Sequence, residues 1–260
     1  MAGSVFFLEF PATDLKPQAS YAVTARHVIE GIRGLGISEI CLRLNDVNGE
    51  AFWEKVPLNY WYLAEDRTID IAIFPTGLGS HVDHLYVTAR DGVNLEIVKK
   101  HNVGVGDEVF ITGLFLPHHG TNRNTPIVRI GNIASLAEEK VSTKLGNIDA
   151  YLIEARSIGG LSGSPVFLNL GNTRRIDGQV RLSEGGNPIF LLGLIHGHFD
   201  VKENLVDHLT EDSNQAANYA NVNMGIAIVI PFLKINEIVD QYEKSGLNLR
   251  DISGNDAPSR

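Results

Sequence analysis

Gly159-Gly160-Leu161-Ser162-Gly163-Ser164-Pro165-Val166-Phe167 sets a serine among small residues, just ahead of a proline and an apolar pair that reads as the start of a buried strand. Glycine serves where backbone adopts unusual dihedrals or comes very close to another group. Around a serine that freedom suits a nucleophile, because attack on a carbonyl needs backbone N–H groups aimed into open space to hold the developing oxyanion. A glycine- and serine-rich turn between two strands has the same composition. The choice turns on whether a base and an orienting carboxylate occur elsewhere.

Outward from this turn, short apolar runs recur with turn residues between them. The runs 4–10, 19–24, 37–44, 61–63, 71–74, 85–88, 108–113, 127–134, 150–154, 165–168, 189–198 and 225–230 are rich in β-branched and aromatic residues and partly alternate, which predicts strands. Two helical stretches stand out: a single turn at 27–31, and 231–242, which has Pro231 at its first position and apolar Leu233, Ile235, Ile238 and Val239. Strands without alternating helices point to a sandwich or barrel. A break near 91–106 divides the chain into two β-rich halves. Residues 171–187 read as a polar hairpin or loop, 202–223 as a polar surface insertion, and the tail after Gly246 as frayed.

Composition narrows the function. The 260 residues are 43% hydrophobic and 20% charged, ordinary for a globular protein, and the net charge of −9 argues against a backbone-tracking nucleic-acid binder. The single cysteine, Cys41, rules out an intramolecular disulfide framework, and its setting in Glu39-Ile40-Cys41-Leu42 reads as a small buried hydrophobe in a strand. No stretch has the length of a membrane span. Met1-Ala2-Gly3-Ser4 carries no basic residue and the apolar run after it stops at Glu9, so no secretory signal is read and a cytoplasmic location is expected.

Of nine histidines, His27 has the neighbours suited to chemistry: Tyr21-Ala22-Val23-Thr24-Ala25-Arg26-His27 leaves a strand through small residues that make room around the ring. The carboxylate candidate is Asp70, flanked by Ile69 and Ile71 and running into an apolar strand. A buried aspartate is costly unless paired or hydrogen-bonded, and pairing is what orienting a histidine base requires. A turn-capping aspartate is the competing reading for Asp70, and Asp66, beside Glu65 and Arg67, is the competing acid. Ser157 and Ser164 are rival nucleophiles; Ser164 lies within the strand start and Ser157 outside the glycine turn.

The order His27, Asp70, Ser162 is the chymotrypsin order, distinct from those of subtilisin and the α/β-hydrolases. Thr24-Ala25-Arg26-His27, Asp70-Ile71-Ala72-Ile73 and Gly160-Leu161-Ser162-Gly163-Ser164-Pro165 resemble the three motif segments of the trypsin-like serine peptidases, in particular the disulfide-free bacterial branch with its HtrA-type and glutamyl endopeptidases. The stretches 106–113, 127–134 and 224–231 resemble strands of the second barrel in that family, and the likeness runs from about Gly3 to Tyr242.

The resemblance implies an all-β fold of two six-stranded antiparallel β-barrels with a short C-terminal helix. The expected division is 1–98 for the His/Asp barrel, 99–246 for the Ser barrel and helix, and 247–260 for a polar tail. It implies attack by Ser162, proton transfer by His27, orientation by Asp70, and an oxyanion hole from the N–H groups of Gly160 and Ser162. Arg156, His196 and His198 are expected to bind substrate, with a preference for Glu, Asp or Gln before the cleaved bond. His196 and His198 offer only two ligands and spacing supplies no third, so neither a metal nor another cofactor is expected. The expected partner is a peptide or protein substrate. The alternatives are an inactive or latent homologue that binds peptides, and a general esterase. The family usually has a further strand ahead of Gly3, so the expectation is either that Met1 is an internal start, with an upstream segment able to carry an export signal, or that the barrel is trimmed.

Overall fold

The computed structural model of the protein describes residues 3–155, 160–176, 179–182, 188–204 and 219–246, and at 175–176, 200–204 and 219–223 it describes the backbone alone. The first part of the chain runs β1 (Phe6–Phe10), β2 (Ala19–Thr24), α1 (Arg26–Arg33), β3 (Glu39–Asn45), β4 (Ala51–Pro57), β5 (Tyr62–Leu63), β6 (Ala72–Pro75), β7 (Val87–Thr88) and α2 (Leu95–His101). It continues through β8 (Glu108–Leu114), β9 (Pro126–Ser135), β10 (Val141–Thr143), β11 (Gly146–Ile148), β12 (Tyr151–Glu154) and β13 (Pro165–Asn169). Last come β14 (Thr173–Ile176), β15 (Gln179–Leu182), β16 (Ile189–Asn204), β17 (Tyr219–Pro231) and α3 (Phe232–Lys244). The fold is mostly β.

Six antiparallel strands close into a barrel in the order β12-β17-β16-β13-β8-β9. Its interior is filled by alternate side chains, as the two-residue period of a strand requires. Val109 and Ile111 of β8, Val166 and Leu168 of β13, and Ile133, Ile153, Leu192 and Val229 meet there.

The N-terminal half departs from the expected second barrel. A five-stranded sheet runs β5-β6-β2-β1-β7, and β3 and β4 pair only with each other, so among the described residues the ring stays open. The outer run of β4, Trp53-Glu54-Lys55, faces solvent, and its charged pair makes a poor edge for another strand. The hairpin instead covers one face of the sheet through Ile40 and Val56, which pack with Ala22, Ile29, Leu58 and Trp61. Cys41 correspondingly lies on the outer face of β3 and is exposed, not buried as its neighbours suggested.

A third core joins the two halves. Leu8, Val23, Ile71 and Ile73 of the sheet pack with Leu191, Leu194 and Ile230 of the barrel, and Phe232, Ile235, Ile238 and Val239 of α3 close over them. Pro231 is the residue just ahead of α3, and Phe232 takes the buried place expected for Leu233, which is 37% exposed. The N-terminal helix is longer than the predicted single turn, running eight residues from Arg26 to Arg33. No helix among the described residues is long and apolar enough to cross a membrane.

Candidate active site

Strand β2 lies between β1 and β6, which is why its last four residues are all buried. It ends at Thr24, Ala25 keeps an extended backbone (φ −74°, ψ 137°), and α1 begins at Arg26. His27 therefore falls in the first helical turn, where backbone N–H groups have no partner inside the helix. Its N–H donates to Asp70 Oδ1 at 2.8 Å, and its Nδ1 lies 2.7 Å from Asp70 Oδ2. The pairing of Thr24 with Ala72 sets the register that brings the start of α1 beside Asp70, two residues ahead of β6.

Asp70 is fully buried. Burial alone would push its carboxyl up, but hydrogen bonds from His196 and His27, with the charge of both rings, outweigh burial and hold it below the ordinary carboxylate value. An ionised carboxylate only accepts, so the Nδ1 of each ring carries the proton, and in neutral His27 the Nε2 is left as a bare lone pair, the state of a general base. The His27 side chain is 35% exposed, so the ring is open to an incoming group. Asp66 is spent elsewhere: its Oδ1 accepts from the Thr68 N–H and hydroxyl, each at 2.8 Å, and closes a surface turn.

Ser162 stands on the turn that leads into β13. The turn is pinned through its carbonyls. Leu161 O accepts from Ser164 N at 2.8 Å, Ser162 O from Ser4 N at 2.8 Å, and Gly160 O from the Ser4 hydroxyl at 3.0 Å. In a trans peptide the C=O and the following N–H point in opposite directions, so fixing Leu161 O also fixes where the Ser162 N–H points. The N–H groups of Gly160 and Ser162 have no acceptor among the described residues.

Gly160 and Gly163 hold the turn at φ +98° and +85°. A Cβ on Gly163 would lie 2.4 Å from both Ser4 O and Thr24 Oγ1, so this position is closed sterically as well as conformationally. Gly163→Ala is expected to cost about 2 kcal/mol or more, from left-handed strain plus overpacking. Urea unfolding measures it, and wild-type stability would overturn this account of the turn.

Ser164 is completely buried and its Oγ has no hydrogen-bond partner, leaving it no route to a substrate. Ser162 Oγ donates to the carbonyl of His196 at 3.4 Å, and among the described residues no hydrogen bond joins it to the His27 ring. Such bonds are often long or unformed before substrate binds.

His196, assigned from sequence to substrate binding, has its Nδ1 2.5 Å from Asp70 Oδ2, and its ring meets that of His27 edge to face at 5.7 Å. The cause is a bulge in β16. Ile195 pairs with Val229 and Gly197 with Ile228, so His196 is an extra residue without a partner in β17. Bulges re-aim side chains next to active sites, and this one breaks the alternation that would have put His196 and His198 on one side. His198 is half-buried and pairs with Ala227. Arg156, Ser157 and Gly159 lie outside the described residues.

His27, Asp70 and His196 each offer one ligand atom, all within 4.8 Å of one another. Two ligands on a tetrahedral zinc ion stand roughly 3.3 Å apart, whereas Asp70 Oδ2 lies 2.7 Å and 2.5 Å from the two Nδ1 atoms. The three side chains are arranged for shared protons, and a cation would have to push them apart.

No family model matches this chain, and no curated protein does. Among solved structures, the protease domain of MamO from Magnetospirillum magneticum in its apo form matches with a TM-score of 0.43 and 14% identity, over 94% of this chain and 95% of that one.

Proposed function

We propose that the protein is a trypsin-like serine endopeptidase. The observation that carries this reading is the buried Asp70 carboxylate, which accepts both the N–H and the Nδ1–H of His27 and so leaves Nε2 free to act as the base. Ser162 Oγ attacks the scissile carbonyl and gives its proton to His27 Nε2. The tetrahedral oxyanion takes hydrogen bonds from the N–H groups of Gly160 and Ser162. The C–N bond then breaks as His27 returns the proton to the departing amine, and water repeats the sequence on the acyl-enzyme to free Ser162. On this reading the five-stranded sheet with its β3–β4 hairpin stands where the second six-stranded barrel of the family closes.

A fluorophosphonate probe tests the reading directly. The purified chain is expected to label on Ser162, with labelling lost in His27→Ala. A well-folded protein that takes no label supports the second reading, a latent or peptide-binding domain, which one observation favours: the Ser162 hydroxyl rests on the His196 carbonyl and not on the base. Substrate choice is a separate question. His196 Nδ1 is engaged by Asp70, so the proposed preference for Glu, Asp or Gln before the cleaved bond now falls to Arg156 and His198. A peptide library varied at that position is expected to favour acidic or amide side chains, and dominant cleavage after Arg or Phe would remove the proposal.

A further inference from the structure

One residue, His196, touches both ends of the proposed catalytic relay. Its carbonyl accepts from the Ser162 hydroxyl and its imidazole Nδ1 donates to Asp70 Oδ2. The contacts reach across the join between the two halves: β16 belongs to the barrel, whereas Asp70 precedes a strand of the N-terminal sheet. The residue before His196 is itself tied to the serine turn, since Ile195 O accepts from Gly163 N at 2.8 Å and Ile195 N donates to Ser164 O at 2.9 Å. The bulge that frees His196 from β17 leaves it firmly held on the other side.

We propose that His196 is a positioning residue, clamping Asp70 against His27 from the barrel side while its carbonyl holds the resting Ser162 hydroxyl. The inference rests on the peptidase reading and deepens it. The fully buried Asp70 carboxylate meets three N–H donors: the backbone and Nδ1 of His27 on one side, and Nδ1 of His196 on the other. Oδ2 uses one lone pair for each imidazole. Without His196, one of those lone pairs has no donor and the carboxylate is held only by the histidine it is meant to orient. The lone proton on His196 Nδ1 therefore acts through Asp70 and does not touch the reacting atoms.

The Asn and Gln variants separate this role from packing. An asparagine amide nitrogen is attached at the δ position, where Nδ1 stands, whereas a glutamine amide nitrogen is attached one atom further out. His196→Ala is expected to lower kcat, and the rate of fluorophosphonate labelling, by about tenfold to a hundredfold, the range a misplacement near 1 Å produces. KM should change little, His196→Asn should recover most of the rate, and His196→Gln should not. Labelling at the wild-type rate in both Ala and Gln variants overturns the inference. So does a raised KM with unchanged kcat, which would return His196 to substrate binding.

A readout independent of catalysis comes from NMR of the full chain with 15N-histidine. Two hydrogen-bonded Nδ1 protons are expected in the wild type, one lost in His196→Ala or His196→Gln, the other in His27→Ala. His196→Asn serves this test if the Ala variant does not fold, since it too removes the imidazole resonance while keeping a donor. If the wild type takes no label, the peptidase reading fails while the two resonances still uphold the clamp. Absence of the His196 resonance overturns the clamp whatever the activity.

Discussion

Replacing Ser162 by alanine is expected to lower kcat by about a millionfold, the loss that follows removal of the nucleophile from a serine-hydrolase triad. Stability should hardly move, because among the described residues the hydroxyl makes one hydrogen bond, the 3.4 Å contact with the His196 carbonyl. Surface or half-buried changes of this kind stay within about 0.5 kcal/mol. Initial rates on a peptide substrate, with thermal unfolding alongside, read both quantities. A Ser162→Ala protein that keeps activity within tenfold of wild type would move the nucleophile elsewhere. Ser164 is not open to that role, since its side chain is sealed in the barrel wall.

Asp70→Asn is expected to lower kcat by about ten-thousandfold while leaving the chain folded, as the corresponding change does in a serine-peptidase triad. The reason here is geometric. Asp70 Oδ1 faces the His27 N–H, and Oδ2 faces the Nδ1 atoms of His27 and His196. An amide has one oxygen for these three donors, so its NH₂ meets either the His27 N–H, breaking the bond that fixes the start of α1, or the two Nδ1 atoms, where the rings must turn or change tautomer. If the NH₂ faces Nδ1 of His27, the proton of that ring moves to Nε2 and the base is lost.

The same substitution reads a linkage. The folded Asp70 carboxyl lies below its ordinary value, so its contribution to stability is present above the unfolded value, about 3.9, and is lost as pH falls through the folded one. The stability gap between wild type and Asp70→Asn, measured by urea unfolding, should therefore narrow as pH drops below about 4. A gap constant from pH 7 to pH 3, or a kcat within tenfold of wild type, would contradict the proposed role.

The parts of this molecule that were legible in its sequence are those whose signal is local. Strand β13 follows a glycine turn and starts at Pro165, and α3 begins directly after Pro231 with apolar residues at helical spacing. Strand β2 is covered on both faces, and its Tyr21-Ala22-Val23-Thr24 run has the near-continuous burial such a place demands. Strand β4 is not legible because it has no period-two pattern: Trp53, Glu54 and Lys55 are exposed in succession, and only Val56 is buried. Helix α2 lies inside the expected break at 91–106. It buries no residue, yet it carried a readable start, since Asn94 accepts from Ile97 N at 2.9 Å and Glu96 sits in the first turn.

At the candidate site, His27 and Asp70 each announce themselves by a local conflict, a histidine among small residues at a strand end and a carboxylate between isoleucines. His196 gives no such sign. Its direction depends on a single extra residue in β16 relative to β17, and a bulge is a property of two paired strands, not of either sequence alone. The open N-terminal sheet is hidden for the same reason: whether β3 and β4 join a ring depends on edges that only the assembled fold brings near one another.

The bond from His196 to Asp70 spans 126 positions, and that from Ser4 to Gly160 spans 156. Chains are made from the amino end, and their early parts fold first. His27 and Asp70 therefore leave the ribosome well before the serine that would need them, and the strand that clamps the carboxylate follows later still. Before Ser162 and β16 have emerged, the pairing of β2 with β6 can already set His27 beside Asp70, but no hydroxyl stands near them and nothing holds the carboxylate from the barrel side. On the proposed peptidase reading, synthesis and reactivity are separated in time by the order of the residues.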